Sequence, residues 1–307
     1  MAVLGEKKTI LVTGGNTGIG RALAELLVHE HDCRVIITTR NEERGKKALE
    51  EISSENVEMI IMDATNQNSV DACAAELKKR GIENLYALVN NAGVGFENVR
   101  DLPLTDKEKT KLIIDTNFYG PIRVTNAMID LISENGRIVN VSSGNGSAWL
   151  RAQNSKIQKL FSGTGSGVDT LTLPSLKNAV NSFIDEVSTE NGLPPAPNTP
   201  GKLGYGLSKA ALTALTIIYS REYDRKKFVS LTPGFVRTNM TKSRSAPLSP
   251  VEGCRSSLKC LFAENIVSGA YYGADGLRSP IVVKRDPGYP EYEGEDNPDP
   301  KKYSKEN

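Results

Sequence analysis

Short runs of Val, Ile and other apolar residues alternate along this chain with segments whose apolar residues recur at helical spacing. Continuous apolar runs are typical of strands that helices cover on both faces, as in parallel sheets. The alternation therefore predicts an α/β fold built on a doubly wound parallel sheet, and 307 residues can supply one such domain. The predicted strands are TILVTG, RVIITTR, VEMIIMD, LYALVNN, GRIVNVSS, KFVSLTP and PIVV.

One region interrupts the alternation. Residues 144–204 are too long for an ordinary connection between a strand and a helix. We interpret them as an insertion packed over the site, within a single domain spanning 1–285. The segment 286–307 is charged and rich in Pro, and is expected to be poorly ordered. The predicted helices cover residues 18–30, 42–52, 67–80, 107–133 (with a bend near Gly120) and 206–223.

The composition excludes several classes of function. A formal net charge of +1 gives no electrostatic reason to expect binding to nucleic acid or to an anionic membrane. The four cysteines show neither metal-ligand spacing nor the density of a disulfide framework, so they are expected to be reduced. No apolar stretch is long enough to span a bilayer, and no leader segment is visible. We expect a cytoplasmic protein that binds neither nucleic acid nor membranes.

A glycine-rich turn, TGGNTGIG, joins the first predicted strand to the first predicted helix. Glycine permits positive φ angles and lets the backbone approach a ligand closely. The start of a helix directs free N–H groups and its positive dipole end at an anion. Gly14, Gly18 and Gly20 are thus placed to bind the pyrophosphate of a dinucleotide. The alternative is a turn that is merely flexible, since the spacing is T-G-x-x-x-G-x-G and not G-x-G-x-x-G.

A tyrosine and a lysine stand one helical turn apart in YGLSK, at the start of an apolar helical run. Residues i and i+4 share one face of a helix, so Tyr205 and Lys209 would project side by side. A free tyrosine has a pKa of about 10, and a cation beside it favours its phenolate. Taken alone, such a pair is more often a solvated surface pair than a catalytic one.

Several motifs in a fixed order favour a catalytic role for Tyr205 and Lys209. TGGNTGIG, NNAG at 90–93, TNFYG, VNVSS, YGLSK and PGFVRT follow one another along the chain. Together they resemble the short-chain dehydrogenases/reductases over roughly residues 8–285. The long insertion before Tyr205 and the RNEERG after the second strand are most similar to the monomeric carbonyl reductases. The resemblance implies a Rossmann-type parallel sheet of about seven strands and a single subunit.

The same resemblance implies a set of catalytic roles. Hydride transfer to a carbonyl places negative charge on its oxygen, which a donor must neutralise. Tyr205 would be the general acid, with Lys209 tuning it and holding the nicotinamide ribose. Ser143 would bind the substrate carbonyl. Asn117, in TNFYG, would hold a water that links Lys209 to solvent.

The residues after the second predicted strand address the choice of cofactor. NAD-binding folds usually place a carboxylate there for the ribose 2′-hydroxyl. This chain has Arg40, and Arg44 one turn later, both suited to a 2′-phosphate. Asn16 and Thr17 in the glycine-rich turn stand where carbonyl reductases place further contacts. We therefore predict NADP(H) over NAD; the alternative makes both arginines ordinary surface charges.

Further contacts to the cofactor are implied by the motifs. Asp63 would accept from the adenine amino group, or alternatively cap the following helix. Asn90 and Gly93 would line the adenosine ribose, and Val236 with Thr238 would meet the nicotinamide carboxamide. The predicted cofactor residues are Gly14, Asn16, Thr17, Gly18, Ile19, Gly20, Arg40, Arg44, Asp63, Ala64, Asn90, Gly93, Tyr205, Lys209, Pro233, Gly234, Val236 and Thr238.

Aromatic residues near the motifs are candidates for the substrate pocket. Phe96, Trp149 and Phe235 would line it beside Ser143, although ordinary packing explains any one of them equally well. The predicted function is NADPH-dependent reduction of a ketone, aldehyde or quinone. The alternatives are an NADP-dependent alcohol or steroid dehydrogenase working in oxidation, and a cofactor-binding sensor without turnover.

An apolar stripe in the insertion bears on assembly. It recurs at helical spacing, so it must be buried either within the chain or against a partner. The resemblance to monomeric carbonyl reductases favours burial within the chain, and we predict a monomer. The stripe consists of Leu176, Val180, Phe183, Ile184 and Val187.

Overall fold

A computed structural model describes residues 7–167, 170–186, 204–242, 245–296 and 298–305. The strands are β1 (Thr9–Thr13), β2 (Arg34–Thr39), β3 (Val57–Ile61), β4 (Leu85–Asn90), β5 (Ile132–Val141), β6 (Lys227–Leu231), β7 (Tyr271–Tyr272) and β8 (Arg278–Ser279). The helices are α1 (Gly18–His29), α2 (Glu42–Ile52), α3 (Gln67–Lys79), α4 (Phe96–Val99), α5 (Asp106–Ile114), α6 (Gly120–Met128), α7 (Gly144–Arg151), α8 (Ser155–Ser162), α9 (Leu173–Glu186), α10 (Tyr205–Glu222), α11 (Arg255–Phe262) and α12 (Pro300–Tyr303).

Within the described residues the strands form one eight-stranded sheet in the order β3-β2-β1-β4-β5-β6-β7-β8. The first seven strands are parallel, and only β8 is antiparallel to its neighbour. The order reverses between β1 and β4, where doubly wound sheets bind their ligands. The predicted fold class is confirmed, with eight strands in place of about seven.

The seventh predicted strand, PIVV at 280–283, is wrong. Those residues do not extend the sheet, and β7 and β8 lie before them. Pro280 has no N–H to donate to a ladder, and the antiparallel pairing ends at Ser279. The chain leaves the sheet where the proline begins.

The apolar strands are explained by two clusters of buried residues on opposite faces of the sheet. In β1, Leu11 belongs to one cluster, while Ile10 and Val12 belong to the other. Successive strand residues point to opposite faces. Positions on both faces of such a strand are therefore buried, which gives the continuous runs seen in the sequence.

The segment predicted as one bent helix, 107–133, is divided by a π-helical turn at Asp115–Tyr119. The turn lies between α5 and α6, immediately before Gly120 and Pro121. Single π-helical turns within helices are frequent at functional sites. This one contains Asn117, the residue that the motif TNFYG singles out.

Helix α9 lies in the predicted insertion and packs on the same chain. Leu176, Val180 and Ile184 are buried in the cluster that includes α10, and the Phe183 ring lies 5.1 Å from that of Trp149. The described part of the apolar stripe is thus covered within the chain. Residues 187–203, which include Val187, lie outside the described residues.

The C-terminal segment, expected to be poorly ordered, instead packs against the domain: the Tyr292 N–H donates to the Arg278 carbonyl at 3.0 Å, and the Arg278 guanidinium lies 5.2 Å from the centre of the Tyr292 ring. Tyr303 in α12 is fully buried, and its carbonyl accepts from the backbone N–H of Asp286 at 2.9 Å. The Tyr303 hydroxyl donates to Glu295 at 2.7 Å, and the Tyr303 ring meets that of Tyr292. A polar composition was misleading because a single large aromatic residue can anchor a short segment.

Two further findings concern the cysteines and the possibility of a membrane-spanning helix. Cys33, Cys73, Cys254 and Cys260 are buried free thiols. No helix in the described part of the chain is both long and apolar enough to cross a bilayer.

Candidate active site

The glycine-rich turn can exist only with glycine at its key positions. Gly14 and Gly18 have φ angles of 64° and 57°. A Cβ at Gly14 would lie 2.9 Å from the Ala92 backbone, and one at Gly20 would lie 2.5 Å from the Gly14 carbonyl oxygen. The three glycines thus allow β1, α1 and the loop after β4 to approach closely.

The start of α1 is open for an anion. Its N-cap residue, Thr17, makes no capping hydrogen bond with its side chain, and the first turn contains no acidic residue. The N–H groups at a helix N-terminus have no partner within the helix. They therefore suit a pyrophosphate, which fits the cofactor predicted from the sequence.

A cavity of about 400 Å³ begins at this turn and runs along the carboxyl ends of the parallel strands. It brings together most of the predicted cofactor residues, including both arginines after β2. The predicted residues that line it are Gly14, Asn16, Thr17, Gly18, Ile19, Gly20, Arg40, Arg44, Asp63, Ala64, Gly93, Tyr205, Lys209, Pro233 and Thr238.

Arg40 and Arg44 are exposed at the edge of this cavity. The backbone N–H of Arg44 donates to the Asn41 side chain at 2.8 Å, which caps α2. Neither guanidinium has an ion-pair or hydrogen-bond partner among the described residues. Two uncompensated guanidinium groups beside the cofactor cavity fit a phosphate better than a hydroxyl.

Asn90 does not line this cavity, contrary to the prediction. Its side chain is buried and donates to Thr125 at 3.1 Å and to Asn140 at 2.8 Å. The following residue, Asn91, lines the cavity and donates to the Thr13 carbonyl at 2.8 Å. The side chains alternate along the strand end, so the first asparagine of NNAG points into the core.

Asp63 and the residues after β6 lie in different parts of the site. Asp63 lines the cavity, but one of its oxygens accepts from both the N–H and the hydroxyl of Thr65. The N-cap of α3 is Asn66, so the alternative reading of Asp63 as that cap is wrong. Gly234 and Val236 line a neighbouring cavity, and the Val236 side chain is buried beside Gly253.

That neighbouring cavity is larger, about 660 Å³, and adjoins the first. A volume of this size is typical of small-molecule sites. Tyr205 and Ser142 line both cavities, whereas Ser143 lines only the larger one. Tyr205 therefore stands where a cofactor in the smaller cavity would meet a substrate in the larger.

Lys209 is held deep beside this junction. Its side chain is 4% exposed, and Nζ donates to the Val141 carbonyl at 2.8 Å. Nζ lies 5.9 Å from the centre of the Tyr205 ring. Burial lowers the pKa of Lys209 from 10.5 to about 8. The pair is therefore not the solvated surface pair that the sequence left open.

Asn117 is fully buried in the π-helical turn. Its Nδ2 donates to the Val94 carbonyl at 2.8 Å and to the Ser208 hydroxyl at 3.0 Å, and its Oδ1 accepts from the Val94 N–H at 2.8 Å. The side-chain amide fastens the loop after β4 to α10. A Cβ on Gly93 would lie 3.1 Å from Oδ1 of Asn117 and 3.5 Å from Nζ of Lys209, so the amide and the ammonium flank this glycine.

The two serines at the end of β5 have different environments. The Ser142 hydroxyl is buried and donates to the Lys209 carbonyl at 2.8 Å. The Ser143 hydroxyl is half-buried and accepts from the Asn145 N–H at 3.2 Å, as the N-cap of α7. Of the pair, Ser143 has the hydroxyl that a substrate can reach.

The predicted aromatic residues separate into two groups. Phe96 and Phe235 line the larger cavity, and Phe235 is 41% exposed. Trp149 does not line it: the indole is buried against Phe161 and Phe183, at ring distances of 5.5 and 5.1 Å. Rings from two later helices, α8 and α9, cover this side chain, and the sequence of α7 alone does not reveal that.

Several lining residues were missed by the sequence analysis, among them three on α7 and β7. Ser147 and Arg151 project from α7, and Tyr271 from β7. Burial raises the pKa of Tyr271 to about 12, so it is a neutral phenol. The spacing 143, 147, 151 was an available signal, since residues four apart share a helix face.

The chain is similar in sequence to proteins of known function. Residues 8–155 match the family model described as short chain dehydrogenase. The chain is 30% identical over 247 residues to carbonyl reductase [NADPH] 3 of Rattus norvegicus, which covers 78% of this chain and 85% of the relative. The chain belongs to the short-chain dehydrogenase family. Carbonyl reductase [NADPH] 1 of Homo sapiens is also 30% identical, over 254 residues that cover 80% of this chain and 87% of the relative.

Solved structures of this family share the fold. Menthone neomenthol reductase from Mentha piperita is 25% identical, with a TM-score of 0.69 over 88% of this chain and 99% of that one. An NADPH-bound carbonyl reductase from chicken fatty liver is 23% identical, with a TM-score of 0.60 over 88% of this chain and 98% of that one. The protein is an NADP-dependent oxidoreductase that acts on carbonyl or alcohol groups. The prediction of NADP(H) is confirmed.

Proposed function

We propose that this short-chain dehydrogenase uses NADPH to reduce the carbonyl of a ketone, an aldehyde or a quinone, with Tyr205 as the general acid. The observation that carries the proposal is the position of Tyr205, which lines both cavities next to the buried Lys209. A carbonyl in the larger cavity then has a proton donor at the boundary with the cofactor.

The cofactor contacts follow from the smaller cavity. NADPH, when bound there, supplies the hydride. The start of α1 and the glycine-rich turn would hold its pyrophosphate, and Arg40 with Arg44 would hold the 2′-phosphate. Lys209 would reach the nicotinamide ribose.

The chemical roles follow from the side chains at the junction. Tyr205 gives its proton to the carbonyl oxygen as negative charge develops there. Ser143 holds that oxygen by a hydrogen bond and so fixes the carbonyl for attack. The ammonium of Lys209 stabilises the phenolate that remains on Tyr205. Both N–H groups of the Asn117 side-chain amide are engaged, so a water that this residue holds for proton supply would bind the second lone pair of Oδ1 or the backbone carbonyl.

Two alternatives make different predictions. The same residues serve an alcohol dehydrogenase in which Tyr205 is the base, and the cell's ratio of NADPH to NADP decides the direction. A cofactor-binding sensor would bind NADPH without turnover. A cavity of about 660 Å³ beside Tyr205 favours an enzyme, because a sensor needs only the cofactor site.

The proposal extends to assembly and location. Helix α9 covers its apolar stripe within the chain, which supports a monomer, and the protein would act in the cytoplasm. Light scattering after size exclusion should give a mass near 33.3 kDa. A mass near twice that value at micromolar concentration would refute the monomer.

The function is tested by NADPH oxidation with a panel of one aromatic ketone, one aliphatic aldehyde and one quinone. Absorbance follows the cofactor, and chromatography identifies the alcohol or quinol. The expected result is product formed in equal amount to the NADPH consumed. Tight NADPH binding without turnover on any member would favour the sensor. Turnover only with alcohols and NADP would favour the dehydrogenase.

A further inference from the structure

Helix α7 places a cation, Arg151, in the larger cavity on the same side as Ser143. Its N-cap is Ser143, and Ser147 and Arg151 follow at intervals of four residues. All three line the larger cavity. Positions i, i+4 and i+8 share one helix face. The hydroxyl proposed to hold the substrate carbonyl and the guanidinium of Arg151 therefore face the same space.

The guanidinium of Arg151 has no fixed partner. It makes no side-chain hydrogen bond or ion pair within the described residues, and it is only partly exposed. Burial lowers the pKa of Arg151, which records the cost of keeping this cation from water. Asp286 attracts Arg151 electrostatically, but its oxygens are engaged by Lys284 at 3.2 Å and by Ser304 at 2.9 Å.

The other charges around this cavity are matched. Arg285 forms a two-pronged pair with Asp275, at 3.0 and 2.7 Å, and also donates to the carbonyls of Pro290 and Tyr289. Lys284 pairs with Asp286, and Glu97 lies 2.9 Å from Arg100. Arg151 thus contrasts with its charged neighbours in the described part of the chain.

The cofactor does not account for Arg151. This residue lines the larger cavity and not the smaller, where Arg40 and Arg44 stand. An anion that reaches Arg151 must therefore enter with the substrate. A single guanidinium matches the single charge of a carboxylate better than the double charge of a phosphate.

We propose that Arg151 binds a carboxylate of the carbonyl substrate, so that the enzyme prefers ketones or aldehydes that carry an acid group at a distance from the reacting carbonyl. This inference rests on the proposed reduction. A partly buried guanidinium without a partner gains most from a charged hydrogen-bond acceptor.

The helix sets the distance between the two groups. Eight residues separate Ser143 from Arg151, which is about 12 Å along a helix at 1.5 Å per residue. Helical side chains tilt towards the N-terminus, so the guanidinium reaches back towards Ser147. An α-keto acid is too short for this separation. Phe235, Met240 and Val283 also line the cavity, and they suit an apolar body between the two polar ends.

The test compares matched acids and esters. The substrates are para-acetylbenzoate, the longer acetylbiphenyl carboxylate with its groups at opposite ends, and the methyl ester of each. We expect the wild-type enzyme to prefer the longer acid over its ester by about 10- to 100-fold in kcat/KM, the factor for one charge-assisted hydrogen bond. The preference should be smaller for the shorter acid. Equal kcat/KM for acid and ester in both pairs would overturn the proposal.

Variants assign the preference to one side chain. Arg151→Met should lower kcat/KM for the longer acid by the same factor and leave the ester unchanged. Arg151→Lys should keep part of the preference, because it retains a charge without the planar fork. Lys159→Met, which removes an exposed cation from α8, should change nothing. A loss of equal size for acid and ester in Arg151→Met would show a structural role and refute the carboxylate site.

Calorimetric titration provides a readout that does not need turnover. The longer acid should bind wild-type protein saturated with NADP more tightly than its ester does, and Arg151→Met should remove the difference. If no carbonyl compound is reduced but this difference is present, the proposed reaction fails and the carboxylate site stands. If reduction proceeds and acid and ester bind equally, the reaction stands and the carboxylate site fails.

Discussion

Lys209 offers a test in which the structure supplies the magnitude. Its pKa is about 8 in the folded protein against 10.5 ordinarily, because burial disfavours the cation. At pH 7 the folded protein therefore bears a cost of about 3 kcal/mol for this charge, at about 1.4 kcal/mol per pKa unit. That cost is net of the 2.8 Å bond from Nζ to the Val141 carbonyl, because a pKa reflects every interaction of the charge. Lys209→Met removes the charge and should consequently raise the free energy of unfolding at pH 7 by up to about 3 kcal/mol.

The pH dependence of the difference in unfolding free energy between wild type and Lys209→Met is the more decisive test. The folded pKa lies below the unfolded one, so the cost is fully present below pH 8 and is relieved as pH rises towards 10.5. Wild-type protein should therefore gain about 2–3 kcal/mol over Lys209→Met between pH 7 and pH 10, because the unfolded chain alone keeps its proton in that window. Other titrating groups cancel in the comparison.

Urea unfolding of both cofactor-free proteins at several pH values measures this difference. A difference that stays constant from pH 7 to pH 10 would refute the depressed pKa of Lys209 and the buried cation behind it. Reductase activity should be lost in the variant at every pH, since the phenolate of Tyr205 loses its stabilising charge.

Three further predictions concern the cofactor, the insertion and the C-terminal segment. Arg40→Ala should raise the Kd for NADPH by about 10- to 100-fold and leave that for NADH unchanged, measured by calorimetry with Lys47→Ala as control; equal weakening of both would mean a structural role. Phe183→Asp should destabilise the fold by a few kcal/mol, since it places a charge against Trp149, whereas the exposed Ser182→Asp should not; equal denaturant midpoints would contradict the packing of α9. Tyr303→Ala should cost about 3–5 kcal/mol of unfolding free energy; an unchanged denaturant midpoint would mean that the C-terminal segment is poorly ordered after all.

The features that the sequence predicted well depend on local geometry. The turn formed by Gly14, Gly18 and Gly20 could be predicted, because its positive φ angles and close backbone contacts allow only glycine. The alternation of continuous apolar runs with helical segments predicted the parallel sheet, because a strand that is covered on both faces is apolar along most of its length. Tyr205 and Lys209 could be paired from their spacing along one helix.

The features that were missed depend on how distant segments pack. Trp149 belongs to the core because Phe161 of α8 and Phe183 of α9, which come later in the chain, cover its indole ring. Asn90 points into the core and not into the cofactor cavity, because the direction of the side chain depends on which way the end of β4 faces. The C-terminal segment is ordered because Tyr303 packs on Tyr292 and Tyr292 bonds to Arg278, contacts that the polar composition of the segment does not reveal.

The most direct test of the proposed mechanism is the rate of carbonyl reduction by Tyr205→Phe. This change keeps the ring at the junction of the two cavities and removes only the proton. With a carbonyl that the wild type reduces, kcat should fall by about 10²- to 10⁴-fold, the usual contribution of general acid catalysis, while the Kd for NADPH is retained. Tyr223→Phe, at the other end of α10, is the control and should keep full activity. If chemistry limits the rate and Tyr205→Phe keeps more than about a third of wild-type kcat, Tyr205 is not the general acid.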